Sequence, residues 1–140
     1  AEQQTVGPLQ IPIADVAVIA KSFVDVTGGA CAIGEQPIKD MLDPKAMAQL
    51  AVGEALTNLV WAKVTSLADV KASGNWMFVA KLDGEGADMY DAAISLSEAM
   101  IELDIAIMEI KVSFLWQPML TVKLSRLQEI LSSVFVTCHD

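Results

Sequence analysis

Residues 43–64, DPKAMAQLAVGEALTNLVWAKV, carry the clearest architectural signal in this 140-residue chain. Asp43 suits the N-cap position, because its carboxylate can accept hydrogen bonds from the free N–H groups of a first helical turn. Pro44 suits the first helical position, where its missing N–H costs nothing. We therefore predict a helix from Pro44 to about Val64. Its predicted apolar stripe consists of Met47, Leu50, Ala51, Leu56 and Val60.

The segments around this helix alternate between strand-like and helix-like patterns. Apolar runs and alternating patterns predict strands at residues 9–20, 70–80, 105–107 and 134–137. A second amphipathic helix is predicted at 87–102, with an apolar face of Tyr90, Ala93, Leu96 and Met100. Glycines predict turns or loops at 27–29, 73–75 and 84–86. Strands that alternate with helices predict an α/β (α+β) fold with a mixed sheet and two main helices.

The composition is unusually apolar for a small domain. Hydrophobic residues make up 54% of the chain, and the mean hydropathy is +0.47. No uncharged apolar run approaches the roughly 20 residues of a membrane-spanning helix, which argues against a membrane partner. We interpret the excess as surface meant for a partner domain or subunit. The chain starts at Ala1 without a methionine, a signal peptide or a transit peptide, so we expect an internal piece of a longer protein.

The charge balance excludes a nucleic-acid binder. The chain has 18 acidic and 9 basic residues, a formal charge of −9, and its lysines and arginines form no cluster that could neutralise phosphates. Cys31 and Cys138 lack the spacing of a metal or redox motif and are expected to be free thiols. The single histidine, His139, argues against a catalytic triad or a histidine-rich zinc site.

Three oxygen-bearing side chains are candidates for a cation site. Glu54 and Asn58 lie four residues apart on the first helix, so they share one face and could hold Mg²⁺. The same spacing is also typical of a solvated helix surface. Asp15 lies within an apolar strand pattern, where a carboxylate must be paired, exposed or bound to a metal.

A second polar group surrounds Gly74. Lys71, Ser73 and Asn75 could donate hydrogen bonds to a phosphate, although a plain polar loop is the simpler interpretation. Composition and spacing alone therefore predict an α/β domain with a possible cation site.

Ordered segments of the chain resemble one enzyme family. They are Ile11–Ile19 (IPIADVAVI), Gly34–Ile38 (GEQPI), Leu42–Ala46 (LDPKA), Ala51–Leu59 (AVGEALTNL), Asp69–Met77 (DVKASGNWM) and Gly84–Asp91 (GEGADMYD). From Leu9 to about Ile107, the chain resembles the synthetase portion of the formylglycinamide ribonucleotide amidotransferase (phosphoribosylformylglycinamidine synthase) family, especially its plant members. That portion consists of two halves, each similar to aminoimidazole ribonucleotide synthetase. The chain resembles part of the N-terminal domain at the start of the second half.

The resemblance implies a function, ligands and partners. The family uses ATP and glutamine to convert formylglycinamide ribonucleotide to formylglycinamidine ribonucleotide in purine biosynthesis. It implies Mg²⁺ ligands at Asp15, Glu54 and Asn58, with nucleotide also contacting the main chain at Ala14. It implies no catalytic residue here, because the glutaminase nucleophile belongs to another domain. The implied partners are a nucleotide and the remaining synthetase and glutaminase domains, and the implied compartment is a plastid or mitochondrion in a plant, otherwise the cytoplasm.

The resemblance breaks after Ile107. The family continues with a glycine-rich turn suited to close phosphate approach, whereas this chain continues with MEIKVSFLWQPM. Codons for typical family sequence, read in a shifted frame, can yield Trp116–Met119 and Leu124–Leu131. Asp104 also stands where the family often has glycine, and would be strained if that turn requires a positive φ.

We therefore divide the chain into three regions. Residues 1–107 form a synthetase-like ATP-binding domain, 108–131 a divergent and frame-shifted segment, and 132–140 a terminal strand similar to the family. We expect little activity from this chain alone. The alternative is a non-catalytic fragment that acts only as an interaction or structural domain.

Overall fold

The computed structural model of the protein describes residues 15–24, 28–78, 83–114 and 131–137. The strands are β1 (Val16–Ala20), β2 (Gly28–Gly34), β3 (Val70–Phe78), β4 (Ala106–Phe114) and β5 (Leu131–Thr137). The helices are α1 (Pro37–Asp40), α2 (Pro44–Leu59) and α3 (Glu85–Glu102), and a single 3₁₀ turn spans Leu67–Asp69. Two long helices and a mixed sheet confirm the predicted α/β class.

The described strands form one sheet in the order β1-β2-β5-β3-β4. β5 lies at its centre and runs antiparallel to both neighbours: Cys31 of β2 and Lys71 of β3 both lie opposite Phe135. β3 and β4 are parallel and are connected through α3. The described part of the sheet thus consists of two strand pairs joined by β5.

The long helices cover one face of this sheet. Burial alternates along β3, where Val70, Ala72, Gly74 and Trp76 are buried and the residues between them are half buried. The core combines this face with apolar residues of β2, α2 and α3. The buried Ser95 hydroxyl of α3 donates to the Lys45 carbonyl of α2 (3.0 Å), which fixes the two helices against each other.

The start of α2 is as predicted, but its end and its buried face differ. The Asp43 carboxylate accepts from the N–H groups of Lys45 and Ala46 at 2.9 and 3.1 Å. The helix ends at Leu59, short of the predicted Val64. The buried face consists of Met47, Ala48, Ala51, Val52, Ala55 and Leu59. Leu50 and Val60 of the predicted stripe are exposed, because α2 packs on both the sheet and α3 through small alanines.

Two predicted turns are strand instead. Gly28 and Gly29 begin β2, while Thr27 lies outside the described residues. Ser73, Gly74 and Asn75 continue β3 and pair with β5 on one side and β4 on the other. The pairing of β3 with β4 is irregular at this point. Its register shifts between Ala72 and Ser73, so that Met108 of β4 has no partner on β3. This is a bulge, and such bulges are rare in parallel pairs.

The remaining elements occur where they were predicted, with shifted ends. The predicted apolar face of α3 was half right: Leu96 and Met100 are buried, whereas Tyr90 and Ala93 are exposed. α3 begins at Glu85 after Gly84, which has a φ of 88°, so only part of the predicted 84–86 loop exists. β4 is longer than the predicted 105–107, and β5 starts before the predicted 134. The part of the predicted first strand that the structure describes is β1. Within the described ranges, no helix combines the length and apolarity needed to cross a membrane.

Candidate cation site

The end of β2 lies beside the side chains of Glu54 and Asn58 and beside the main chain of Asp15. Gly34 packs directly against α2: a Cβ atom placed on it would lie 2.1 Å from the Ala51 carbonyl oxygen and 2.6 Å from the Ala55 nitrogen. Only glycine permits this approach. It places one face of α2 beside residues 33–35, and the side chains of Glu54 and Asn58 reach that segment.

Glu54 is held through one carboxylate oxygen. Its Oε2 accepts from the Glu35 N–H at 2.9 Å and from the Gln36 side-chain amide at 2.8 Å. The side chain is half buried, and the two bonds to the same oxygen fix its direction. The arrangement leaves Oε1 as the oxygen suited to a cation.

Asn58 is oriented in a similar way. Its Nδ2 donates to the Ile33 carbonyl oxygen at 2.9 Å. Because the nitrogen and oxygen of an amide point in different directions, Oδ1 is turned away from this carbonyl and is available as a neutral ligand. The two side chains, one helical turn apart, are thus tied to neighbouring residues of the same strand end.

Asp15 joins this group through its main chain. The Ile33 N–H donates to the Asp15 carbonyl at 2.9 Å, next to the first pairs of β1 with β2. The Asp15 side chain is exposed, so its carboxylate needs no buried partner. Ala14, the predicted main-chain nucleotide contact, lies outside the described residues.

The donor set fits a hard cation. Two carboxylates and one amide oxygen match the oxygen ligands that Mg²⁺ prefers, and Mg²⁺ retains water at its remaining positions. Among the described residues, no group of three or more His, Cys, Asp or Glu side chains could hold a metal ion. A site at this location therefore depends on the amide of Asn58 as well as on carboxylates.

The other predicted polar group does not form a phosphate loop. β3 contains all three residues, Lys71, Ser73 and Asn75, at every second position of the strand. The Lys71 ammonium donates to the carbonyls of Ala68 and Val70. Asn75 Oδ1 is buried without a hydrogen-bond partner in the described region, which costs about 1–3 kcal/mol. Of the two cysteines, Cys31 is half buried and forms no disulfide within the described residues, and Cys138 lies outside them.

Sequence patterns missed the residues that support the site. Gln36 and Lys39 lie before α2, and Lys39 donates to the Gln36 side-chain oxygen. Their only signal was that Gln36 belongs to the GEQPI segment. Helical spacing could not reveal them, because Gln36 directly precedes α1, Lys39 lies in α1, and Glu54 lies in α2.

Comparison with known proteins identifies the family. The model of the FGAR-AT PurM_N-like domain family matches residues 1–136. The chain belongs to this family. A relative from Arabidopsis thaliana, described as a probable phosphoribosylformylglycinamidine synthase, chloroplastic/mitochondrial, is 82% identical over 107 residues, which cover 76% of this chain and 8% of that protein. The chain thus spans less than a tenth of that relative's length.

Solved structures show the same fold at low sequence identity. PurLQS from Thermotoga maritima matches with a TM-score of 0.66 and 12% identity, covering 89% of this chain and 20% of that one. Thermotoga maritima PurL complexed with AMPPCP matches with a TM-score of 0.58 and 12% identity, covering 86% and 20%. These likenesses establish the fold, and the second structure contains an ATP analogue.

Proposed function

We propose that this chain is the FGAR-AT PurM_N-like domain of a formylglycinamide ribonucleotide amidotransferase. That enzyme converts formylglycinamide ribonucleotide, glutamine and ATP to formylglycinamidine ribonucleotide. The observation that supports the proposal is that the Glu54 and Asn58 side chains and the Asp15 main-chain carbonyl are hydrogen-bonded to residues 33–36 at the end of β2. Asp15, Glu54 and Asn58 would hold Mg²⁺, and the main chain at Ala14 and Asp15 would contact the nucleotide.

The proposed role of Glu54 and Asn58 follows from the hydrogen bonds that hold them. Glu54 and Asn58 are fixed to the strand end before any ligand arrives, so little side-chain freedom is lost on binding. Asp15, the residue before β1, would add a carboxylate. Bound Mg²⁺ would supply positive charge that neutralises nucleotide phosphates. The chain's own residues bind and orient, and the remaining synthetase and glutaminase domains would supply the reacting groups.

Calorimetry with Mg·ADP tests this proposal. We expect the full 140-residue chain to give a saturable binding heat that Glu54→Ala or Asn58→Ala abolishes, because each removes an oxygen ligand. Glu98→Ala is the matched control, since Glu98 is an exposed glutamate of α3. A folded wild-type chain without binding heat, or ligand variants that bind as the wild type does, would contradict the proposal.

The exposed apolar surface favours the second candidate, an interaction domain without catalysis. Ile38, Leu42 and Trp61 are 68%, 83% and 82% exposed. Burial of such side chains against another domain would be favourable, at about 25 cal/mol per Å². This role predicts that light scattering detects a complex between the chain and the rest of the enzyme. It also predicts that calorimetry with Mg·ADP gives no binding heat.

The three-region division also remains a proposal. Residues 108–131 lack the glycine-rich turn expected from the resemblance, although the family model spans residues 1–136, and Met108 is the bulged residue of β4. A frame shift would be supported by compensating insertions or deletions at the genomic locus and in the transcript. A continuous frame that encodes these residues without such changes would exclude it.

The compartment is inferred from the plant relative. Its description as chloroplastic/mitochondrial supports a plastid or mitochondrial location if the source is a plant, and otherwise a cytoplasmic one. Imaging of the fluorescently tagged full-length gene product would test this, and a purely cytoplasmic signal in plant cells would contradict it.

A further inference from the structure

We propose that Gln36 is a positioning residue that makes Glu54 a one-oxygen ligand and thereby selects small octahedral cations over Ca²⁺. This inference rests on the proposed cation site and adds a residue and a metal preference to it. The geometry that carries it is the pair of donors on Glu54 Oε2, the Gln36 amide at 2.8 Å and the Glu35 N–H at 2.9 Å.

Two donors on one oxygen restrict how Glu54 can bind a cation. The two N–H donors engage both lone pairs of Oε2, so a cation held by both carboxylate oxygens would have to displace one of these donors. A cation bound to Oε1 alone meets no such obstacle. As long as Gln36 holds Oε2, the one-oxygen mode is favoured.

Gln36 is itself held in place from both sides. The Lys39 ammonium donates to its side-chain oxygen, so the amide nitrogen must face Glu54. The backbone of Gln36 precedes Pro37, which restricts its conformation, and its carbonyl accepts from the Lys39 N–H at 3.1 Å. Lys39, Gln36 and Glu54 therefore form a chain of hydrogen bonds that sets the direction of the carboxylate.

The consequence is cation selectivity. Mg²⁺ requires near-octahedral geometry and commonly binds a carboxylate through one oxygen, whereas Ca²⁺ takes more ligands and readily accepts both oxygens of a carboxylate. A Glu54 held through Oε2 suits the first cation and disfavours the second. Release of Oε2 should reduce this difference.

The test measures Mn²⁺ and Ca²⁺ binding to the full chain. Mn²⁺ serves as the probe for Mg²⁺, because both favour octahedral oxygen sites and free Mn²⁺ is detected by electron paramagnetic resonance. Gln36→Met removes the donor at similar side-chain length. We expect its Mn²⁺ affinity to fall about tenfold or more, as for other residues that support a metal ligand, while Ca²⁺ affinity falls less than Mn²⁺ affinity.

Gln49→Met is the matched control, since it makes the same chemical change at an exposed position of α2. It should leave both affinities unchanged. If Gln36→Met does not fold, Lys39→Met provides a second test that keeps Gln36. Its Mn²⁺ affinity should fall less than that of Gln36→Met, but still more than its Ca²⁺ affinity. Unchanged Mn²⁺ binding in these variants, or an equal loss for both cations, would overturn the inference and leave the proposed site intact. A wild-type chain that binds no Mn²⁺ would overturn both.

Discussion

At the scale of single residues, Gly34 determines how closely α2 approaches the sheet. We expect Gly34→Ala to destabilise the fold by about 3 kcal/mol or more, because its Cβ would overlap main-chain atoms that cannot rotate away. Gly53→Ala, within α2 itself, is the control. A Cβ there meets nothing within 4 Å, so the change should stabilise the chain by about 0.5–1 kcal/mol.

Urea unfolding of both variants measures the difference. Equal midpoints for Gly34→Ala and the wild type would show that α2 can move away from β2 without cost. In that case the tethers of Glu54 and Asn58 to the strand end would not depend on this contact.

Residue-level prediction succeeded where the reason was local. The N-cap role of Asp43 follows from neighbouring N–H groups and is confirmed by its bonds to Lys45 and Ala46. Asp104 has a φ of 57°, the conformation for which glycine is better suited. Gln36 was missed because its contact with Glu54 depends on the tertiary fold. The ligand roles of Asp15, Glu54 and Asn58 stay a prediction.

At the scale of elements, the first turn of α2 depends on one carboxylate. We expect Asp43→Ala to reduce the free energy of unfolding by about 1 kcal/mol, because two helix N–H groups lose their acceptor. Asp43→Asn keeps a side-chain oxygen and should cost less than the alanine substitution. Thermal unfolding of the two variants provides the comparison, and an alanine variant as stable as the asparagine variant would contradict the assignment.

The existence of the main elements was easier to predict than their pairing. The pattern of α3 is long and periodic, and the helix lies within two residues of its predicted start. The predicted break at 73–75 was wrong, because a buried glycine beside Trp76 fits a strand as well as a loop. The irregularity belongs to Met108 on the partner strand, which no local pattern of β3 could show.

At the scale of the whole molecule, β5 joins the two strand pairs of the sheet. We expect deletion of residues 131–140 to abolish cooperative unfolding, because β2 and β3 would each lose a full ladder of hydrogen bonds. A synthetic peptide of residues 128–140 added to the shortened chain should restore the transition. Circular dichroism with urea follows both experiments, and a cooperative transition without the peptide would show that the first four described strands suffice.

The central position of β5 also has a consequence for synthesis on the ribosome. The order of translation places β2 and β3 in the nascent polypeptide well before their shared neighbour exists. At about 5–20 residues per second, the 53 residues from Phe78 to Leu131 take roughly 3–10 s to add. During that interval the facing edges of β2 and β3 remain open to strands of other chains. Aggregation in the cell should therefore depend on elongation speed and on chaperones that shield those edges until Leu131–Thr137 emerges.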